Sequence, residues 1–303
     1  MNAVVLEKVV KRYGSQLALN ELSLTIPKGS ICALIGPNGC GKTTTMGVIA
    51  GLLHVEQGAI DILGRGRFDA GVHAGRVSLM PQDAVPSTHV SIIDSLRYYA
   101  RLQGMDPASA KREADVALEK VQLHDRAKSR FGQLSHGMRR RFSIAQALLG
   151  KPELVLLDEP TSGLDPELVV QIRELIMQQR REATMLISSH ILSELEAMCD
   201  HAIFVERGKV VRQGSMADLT SSNTLVRYTL SSPPDLPALE LVLQGCTLEW
   251  REPTLSVRAP QSQAVETTNA LCLRALLDQG VGILAVDAGP SLEAAYMELK
   301  RGQ

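Results

Sequence analysis

The chain of 303 residues is long enough for one large domain and a smaller one, and its 45% apolar and 21% charged residues suit a globular core. The net charge of -1 implies no polyanionic partner, so no nucleic acid is expected, and no apolar run approaches the ~20 residues of a membrane span. The N-terminus lacks the basic and then apolar pattern of a signal peptide. The five scattered cysteines form no CxxC pair, which fits a reducing cytosol and offers no metal cage.

Residues 3–35 are predicted to form strands separated by turns. The last strand, SICALI (30–35), is apolar and is predicted to be buried. It leads into GPNGCGKTT (36–44), which is followed by a predicted helix, TTMGVIAGLL (44–53). The pattern GxxxxGK[ST] between a strand and a helix is that of a phosphate-binding loop. An ordinary glycine-rich turn is the alternative, and the strand–helix setting disfavours it.

The residue types of this loop suit a nucleotide. Its glycines leave room for a phosphate and permit positive φ, so backbone N–H groups can converge on an anion at the helix N-terminus. Lys42 is predicted to place its charge on the outer phosphates, and Thr43 to offer a hydroxyl to Mg²⁺. The residues predicted to bind the nucleotide here are Gly36, Pro37, Asn38, Gly39, Cys40, Gly41, Lys42, Thr43 and Thr44.

Cys40 admits two interpretations. Beside Lys42 and at a helix N-terminus its thiolate should be favoured, which would lower the thiol pKa and raise its reactivity. MgATP would then protect it from a maleimide. In the alternative, Cys40 is a tolerated small residue whose sulfur points away from solvent.

Helical stretches occupy much of residues 83–130, including IIDSLRYYARLQG and AKREADVALEKVQL. The segment QLSHGMRRRFSIAQALLG (133–150) then places Ser135 before another predicted helix. Arg139, Arg140 and Arg141 crowd its first turn, where the helix dipole disfavours cations. The arginines are either a solvated basic face or a sign that an acidic or phosphate partner approaches this end.

Two later strands each end in polar residues. LVLLDEP (154–160) is an apolar strand that ends in Asp158, suited to Mg²⁺, and Glu159, suited to accept a proton from water. TMLISSH (184–190) ends in His190. A lone histidine is more often structural, and two strand-end acids can simply be solvated. The carboxyl ends of parallel strands form the ligand crevice of such sheets, which favours a functional role for all three.

The segment AIFVERGKVVRQG (202–214) is predicted to be a strand, a tight Arg-Gly turn and a second strand. The composition becomes loop-like from Leu219, in LTSSN (219–223). The predicted order afterwards is strand, helix, strand, strand, helix, strand, a ferredoxin-like βαββαβ pattern. Its predicted elements are 224–230, 236–244, 246–251, 254–259, 262–279 and 281–287. A terminal helix over 290–300, capped by Ser291, completes the prediction.

These motifs, in this order, resemble those of the nucleotide-binding subunit of an ABC transporter over roughly residues 3–218. GPNGCGKTT resembles Walker A, and LVLLDEP resembles Walker B with Glu159 as the catalytic glutamate. LSHGM (134–138) resembles the signature motif and SGLD (162–165) the D-loop. His190 resembles the switch histidine.

Two weaker positions gain meaning from this resemblance. Gln82, in LMPQD, resembles the Q-loop glutamine, which contacts Mg²⁺ or water and senses the membrane partner. Tyr13, in KRYG, resembles the aromatic residue that stacks on adenine. The resemblance thus implies a catalytic set of Glu159, His190, Gln82 and Lys42. It implies a metal set of Thr43, Gln82 and Asp158.

The resemblance also implies a head-to-tail dimer, in which ATP lies between Walker A of one copy and the signature of the other. Ser135 and Gly137 would then face the nucleotide of the second copy. The usual signature is LSGGQ, and here His136 replaces a glycine and Met138 the glutamine. Signatures that end in Gly-Met resemble those of exporters of drugs, lipids, peptides, polysaccharides, sodium or maturation factors.

The implied fold is an α/β P-loop ABC ATPase domain (1–218) with a RecA-like core, an antiparallel β subdomain and a helical signature subdomain. A small α+β, ferredoxin-like domain (219–303) with a supporting, dimerising or regulatory role follows. The implied function is ATP hydrolysis, with ATP and Mg²⁺, for an exporter whose polytopic membrane permease is a separate subunit. The protein would lie on the inner face of the cell membrane. A soluble ABC ATPase of repair or translation, a P-loop kinase and a binding-only module are the alternatives.

Overall fold

The computed structural model describes residues 1–82, 86, 88–220, 225–260, 263–288, 292, 293, 295 and 296. The chain divides into two units, Met1–Met216 and Ala217–Gln303. The sequence predicted a division after Asp218.

The first unit contains nine of the described strands and seven of the described α-helices, and an eighth α-helix crosses the boundary. Its strands are β1 (Asn2–Tyr13), β2 (Gln16–Pro27), β3 (Ile31–Ile35), β4 (Gln57–Ile62), β5 (Val77–Met80), β6 (Leu154–Asp158), β7 (Thr184–Ser188), β8 (His201–Glu206) and β9 (Lys209–Ser215). Its helices are α1 (Lys42–Ile49), α2 (Ala70–His73), α3 (Ile92–Leu102), α4 (Pro107–Lys120), α5 (His136–Leu148), α6 (Pro166–Gln178) and α7 (Leu192–Met198), with α8 (Met216–Thr220) at the boundary.

A six-stranded sheet in the order β5-β6-β7-β3-β8-β9 forms the centre of this unit. All neighbouring pairs are parallel except β8 with β9. Every residue of β3, β6 and β7 is buried, as the apolar runs predicted. Because β7 lies between β6 and β3, the carboxyl ends of these three strands are side by side at one edge of the sheet.

A separate antiparallel sheet, β2-β1-β4, carries the start of the chain. Alternate residues of β2 are buried from Leu22 to Ile26, as in a sheet with one face against the core, whereas the buried residues of β1 include two adjacent pairs. The predicted strands over residues 3–35 are confirmed. The predicted hairpin over residues 202–214 is also confirmed, since β8 and β9 pair around a turn at Arg207 and Gly208.

The helices follow the predicted order with shifted ends. The helix predicted over 44–53 begins earlier and ends earlier, as α1, because Gly51 adopts a left-handed φ of 73° and breaks the helical path. Ser91 caps α3 and Ser135 caps α5, each accepting a hydrogen bond from a backbone N–H of the first turn. Among the described residues, no helix is both long and apolar enough to cross a membrane.

The second unit has the predicted βαββαβ order. Its elements are β10 (Leu225–Leu230), α9 (Leu236–Val242), β11 (Thr247–Arg251), β12 (Thr254–Arg258), α10 (Val265–Asp278) and β13 (Ile283–Ala288). The strands form one antiparallel sheet in the order β11-β12-β10-β13, so the second hairpin strand pairs with the first strand of the unit. This is the interleaving expected of a split βαβ motif.

Two predictions for the end of the chain are not confirmed: one is wrong in part, and the rest lies outside the described residues. Leu219 and Thr220 were expected to begin a loop, but they are the buried end of α8, because tertiary packing of the Leu219 side chain, which is 2% exposed, outweighs the loop-like local composition. The rest of that predicted loop, 221–223, lies outside the described residues. Most of the helix predicted over 290–300, with its cap Ser291, lies outside them as well.

Candidate nucleotide site

The loop between β3 and α1 depends on glycine at two points. Gly41 has φ 112°, a conformation that side chains rarely adopt, and a Cβ there would lie 2.9 Å from the carbonyl oxygen of Ala18. A Cβ on Gly36 would lie 2.2 Å from the carbonyl oxygen of Val205. Because these glycines have no side chain, the loop packs closely against the neighbouring strands. Its backbone N–H groups stay free of covering side chains, and this was the reason for predicting that it binds a phosphate.

Lys42 is the first residue of α1 and is only 7% exposed. Its ammonium donates hydrogen bonds to the carbonyl oxygens of Gly36, at 2.8 Å, and Pro37, at 3.2 Å. These bonds hold the charge against the loop, at the wall of the cavity described next.

A cavity of about 610 Å³ opens beside the loop. It is lined by predicted site residues from five separate segments, namely Tyr13, Asn38, Gly39, Gly41, Lys42, Thr43, Thr44, Gln82, Asp158, Glu159 and His190. Gln16, Ala18 and Ser162 also line it and were not predicted. Ser162 lies in the SGLD motif, which was the signal for it, whereas nothing in the sequence marked Gln16 or Ala18.

Asp158, at the end of β6, is 1% exposed and has a hydroxyl on each carboxylate oxygen. Thr43 Oγ1 donates to Oδ2 at 2.7 Å, and Ser188 Oγ donates to Oδ1. The Ser188 hydroxyl also accepts a hydrogen bond from the backbone N–H of Glu159 at 2.9 Å. One buried side chain from β7 therefore connects both acids at the end of β6.

Glu159 and His190 are paired. Glu159 Oε2 lies 2.8 Å from Nδ1 of His190, although β6 and β7 are connected through the whole of α6. Glu159 is 8% exposed, whereas 59% of the His190 side chain is exposed. The structure thus brings together the acid and the histidine that the sequence predicted to act at one crevice.

Tyr13 and Gln82 also lie at this cavity. Tyr13 ends β1 and is 48% exposed, and the Lys11 ammonium lies 5.4 Å from the centre of its ring. Gln82 is exposed, and its backbone carbonyl oxygen accepts a hydrogen bond from Arg140. An exposed aromatic face beside a phosphate-type loop is suited to stack on a base.

The predicted signature residues lie elsewhere. Ser135 and Gly137 do not line the cavity, and Ser135 is exposed at the N-terminus of α5, where its hydroxyl accepts from the N–H of Met138 at 3.3 Å. A Cβ on Gly137 would lie 2.5 Å from Leu168 Cδ1, so α5 approaches α6 closely there. These residues and the Walker A loop of the same chain therefore do not share one nucleotide pocket.

The three arginines of α5 differ in burial, and each donates to backbone carbonyl oxygens of the same chain. Arg139 donates to the carbonyl oxygen of Gly132 and lies over the ring of Phe131. Arg141 donates to carbonyl oxygens at residues 121 and 122. Arg140 is buried and donates to three carbonyl oxygens. The solvated-face interpretation is therefore wrong for Arg140, which is buried, whereas Arg139 is exposed. An acidic or phosphate partner at this end of the helix stays a prediction.

The reactive interpretation of Cys40 is also wrong. Cys40 is 3% exposed and belongs to the hydrophobic core beneath the loop. Burial raises the pKa of its thiol above the ordinary value, and the opposing effect of the Lys42 ammonium is smaller. Its backbone N–H donates to the carbonyl oxygen of Pro37 within the loop. Cys40 is the buried small residue of the alternative interpretation.

The cavity offers a magnesium ion oxygen ligands of the kind it prefers. Thr43 Oγ1 and Asp158 Oδ2 already lie 2.7 Å apart, with Gln82 on the same cavity. Among the described residues, no group of three or more His, Cys, Asp or Glu side chains could hold a metal by itself. A hydroxyl and a carboxylate side by side suit Mg²⁺, which keeps several waters and is usually bound by one or two carboxylates together with substrate phosphates.

Comparison with known proteins agrees with this geometry. Residues 19–162 match the family described as "ABC transporter". A Nod factor export ATP-binding protein I from Burkholderia orbicola (strain AU 1054) is 36% identical over 220 residues, which cover 71% of each chain. The linearmycin resistance ATP-binding protein LnrL of Bacillus subtilis (strain 168) is 32% identical over 233 residues, which cover 74% of each chain.

Solved structures show the same fold. The ATP-binding subunit of an ABC transporter superposes with a TM-score of 0.66 at 28% identity, over 72% of this chain and 92% of that one. A dimeric ATP-binding cassette bound to ADP and Pi in a post-hydrolysis state has a TM-score of 0.65, over 70% of this chain and 98% of that one, and at 23% identity it shows the fold alone.

The chain belongs to the ATP-binding proteins of the ABC transporter family. It is an ATPase that serves as the ATP-binding subunit of a transporter.

Proposed function

We propose that the chain powers an exporter by hydrolysing ATP at the cavity beside residues 36–44. Relatives named for Nod factor export and linearmycin resistance support export, as does the Gly-Met ending of the signature. A relative named for Fe(3+) import is 36% identical over 220 residues, so identity alone does not set the direction.

The single observation that carries the site assignment is the pairing of Glu159 with His190 at the wall of this cavity. The loop's backbone N–H groups and the Lys42 ammonium hold the outer phosphates, and Tyr13 stacks on adenine. The Glu159 carboxylate accepts a proton from the water that attacks the γ-phosphorus, and ADP leaves. His190 holds that carboxylate in place.

Mg²⁺ bound with ATP would be held by Thr43, Asp158 and Gln82, and would supply positive charge between the phosphates. The Ser188 hydroxyl keeps the Asp158 carboxylate turned toward Thr43. A buried carboxylate with both oxygens hydrogen-bonded has little freedom to rotate, so it is already oriented before the nucleotide binds.

The position of the signature supports a head-to-tail dimer. Ser135 and Gly137 lie outside the chain's own cavity, at an exposed helix N-terminus. In the dimer they face the ATP held by Walker A of the second copy, where N-terminal N–H groups favour an anion. ATP closes the dimer and hydrolysis reopens it.

The partner is a polytopic membrane permease, and the protein lies on the inner face of the cell membrane. The helical subdomain presents apolar side chains to it, with Tyr98 60% exposed and Leu102 64% exposed on α3. These two residues are four apart and so lie on one face of the helix. Gln82 lines the cavity, and its movement on nucleotide binding or hydrolysis is transmitted to this surface. The second unit has a supporting, dimerising or regulatory role.

Replacing Glu159 tests the catalytic assignment. Glu159→Gln should lower kcat by about a hundredfold or more, because the amide cannot accept the water's proton, while ATP affinity stays within about threefold. It should also trap an ATP-bound dimer, visible by light scattering. Glu174→Gln, at an exposed position on α6, is the matched control and should be active. If Glu159→Gln turned over ATP at close to the wild-type rate, the catalytic assignment of Glu159 would be wrong.

A further inference from the structure

Arg140 connects two segments of the nucleotide site from a third. It lies on α5, at the fifth position of the helix, and is 8% exposed. Its Nε donates to the carbonyl oxygen of Pro160 at 3.1 Å, and its Nη2 donates to that of Glu159. Its Nη1 donates to the carbonyl oxygen of Gln82 at 2.9 Å. One guanidinium thus joins the signature helix to the backbone of both the acid and the glutamine.

Glu159 has a backbone that requires such support. Its φ is 54°, in the left-handed region that non-glycine residues seldom adopt, so the surrounding structure must hold it there. Its N–H donates to the hydroxyl of Ser188, and its carbonyl oxygen accepts a hydrogen bond from Arg140. The peptide groups on either side of the Glu159 Cα are therefore anchored to different elements, β7 and α5.

Arginine is suited to this position by its chemistry. The guanidinium is planar, stays charged, and presents several N–H donors in a fixed fork, so a single side chain can serve three carbonyl oxygens at once. Lysine has a single nitrogen at the end of a flexible stem and cannot reproduce that geometry. The arginines on either side contact other parts of the backbone, Gly132 for Arg139 and residues 121 and 122 for Arg141.

We propose that Arg140 is a positioning residue for hydrolysis: it holds the Glu159 peptide in its left-handed conformation and couples it to the Gln82 segment and to the signature helix. A shift of α5 then moves the carbonyl anchors of the acid and the glutamine together. This proposal rests on the proposed function, because it assumes that Glu159 accepts the proton from water.

The test uses the full chain and measures turnover per nucleotide-binding site. The sites are counted by titration with a fluorescent ATP analogue, so a loss of folded protein lowers the site count and leaves the rate per site unchanged. Arg140→Gln should lower kcat per site by about twentyfold or more, since small misplacements of a catalytic group have effects of this size. Its ATP Kd should stay within about threefold of the wild-type value, because Arg140 does not line the cavity.

Arg140→Lys keeps the charge but loses the fork, and should lower kcat per site by about fivefold or more. Arg141→Gln, one residue along and in contact with other carbonyls, is the matched control and should stay within about twofold. A wild-type rate per site in Arg140→Gln would overturn the proposal. If Arg140→Gln binds no nucleotide, Arg140→Lys decides, and a wild-type rate per site in that variant overturns the proposal equally.

Glu159→Gln, measured in parallel, separates this inference from the function on which it rests. If Glu159→Gln hydrolyses ATP at nearly the wild-type rate, the catalytic role of Glu159 is wrong and the proposal for Arg140 fails with it. If Glu159→Gln is inactive and both Arg140 variants turn over normally, the role of Arg140 alone is wrong. The expected result is that Glu159→Gln is inactive and that both Arg140 variants hydrolyse ATP slowly but bind it with normal affinity.

Discussion

Thr43 Oγ1 donates a 2.7 Å hydrogen bond to Asp158 Oδ2, across 115 residues of chain. The bond joins the first turn of α1 to the end of β6, two elements that meet only through the order of strands in the central sheet. The hydroxyl oxygen and the carboxylate oxygen are close enough to bind one cation together, and the phosphates of a nucleotide would supply further oxygen ligands.

Thr43→Val should therefore raise the Mg²⁺ concentration needed for half-maximal ATPase activity by about tenfold, because the shape is kept and one oxygen ligand is lost. Thr43→Ser retains the hydroxyl and should stay near the wild-type value. The measurement is a Mg²⁺ titration of ATPase rate at saturating ATP. The same Mg²⁺ requirement in all three proteins would count against Thr43 as a ligand.

Lys42→Ala should weaken ATP binding by at least about tenfold, since an ammonium close to the phosphates in a partly buried site contributes several kcal/mol of attraction. Lys111→Ala, at an exposed position on α4, removes the same charge away from the cavity and should leave the affinity unchanged. Equilibrium titration with a fluorescent ATP analogue gives both values. Equal affinities for the two variants would contradict a phosphate role for Lys42.

Cys40 should react slowly with a maleimide at pH 7.5. Its raised pKa leaves little thiolate at this pH, and its 3% exposure blocks access. Cys246, which is partly exposed, should be modified first in the same sample. Mass spectrometry of peptides after timed labelling, with and without MgATP, measures both rates. Fast modification of Cys40 that MgATP prevents would restore the reactive interpretation that the structure contradicts.

The second unit should lose stability at alkaline pH. Burial raises the pKa of Cys272 from 9.0 to about 11 and raises that of Tyr228 as well, so both are neutral in the folded state. Above pH 9 the unfolded chain releases the Cys272 proton and the folded chain keeps it, so stability present below pH 9 falls as pH rises toward 11. Between pH 9 and pH 11, this difference in the pKa of Cys272 should by itself lower the free energy of unfolding by on the order of 2 kcal/mol.

Trp250, the single tryptophan, lies on β11 and reports this unit by its fluorescence. Urea titrations of the full chain at pH 8.5 and pH 11 give the change in unfolding free energy. Cys272→Ala should show a smaller change over the same interval, even if it is less stable throughout. A stability that does not vary between the two pH values would refute the buried-neutral account.

Much of the site could be predicted because its residues lie in local patterns. An apolar run that ends in polar residues marks a buried strand and its exit, so Asp158, Glu159 and His190 could be located from the sequence. The βαββαβ order of the second unit was also readable, since each strand and helix there is bounded by turn residues. Exact ends were less accurate, as at α1, where one left-handed glycine ends the helix.

The sequence by itself determined which groups this protein offers to a nucleotide, because residue type and strand-to-helix setting suffice for that. Only the tertiary structure decided which of them meet. The order β6-β7-β3 brings Glu159 to His190 and Thr43 to Asp158, and strand order depends on packing between distant segments. The burial of Cys40 and the three carbonyl contacts of Arg140 were hidden for the same reason, since both depend on backbone brought near from elsewhere in the chain.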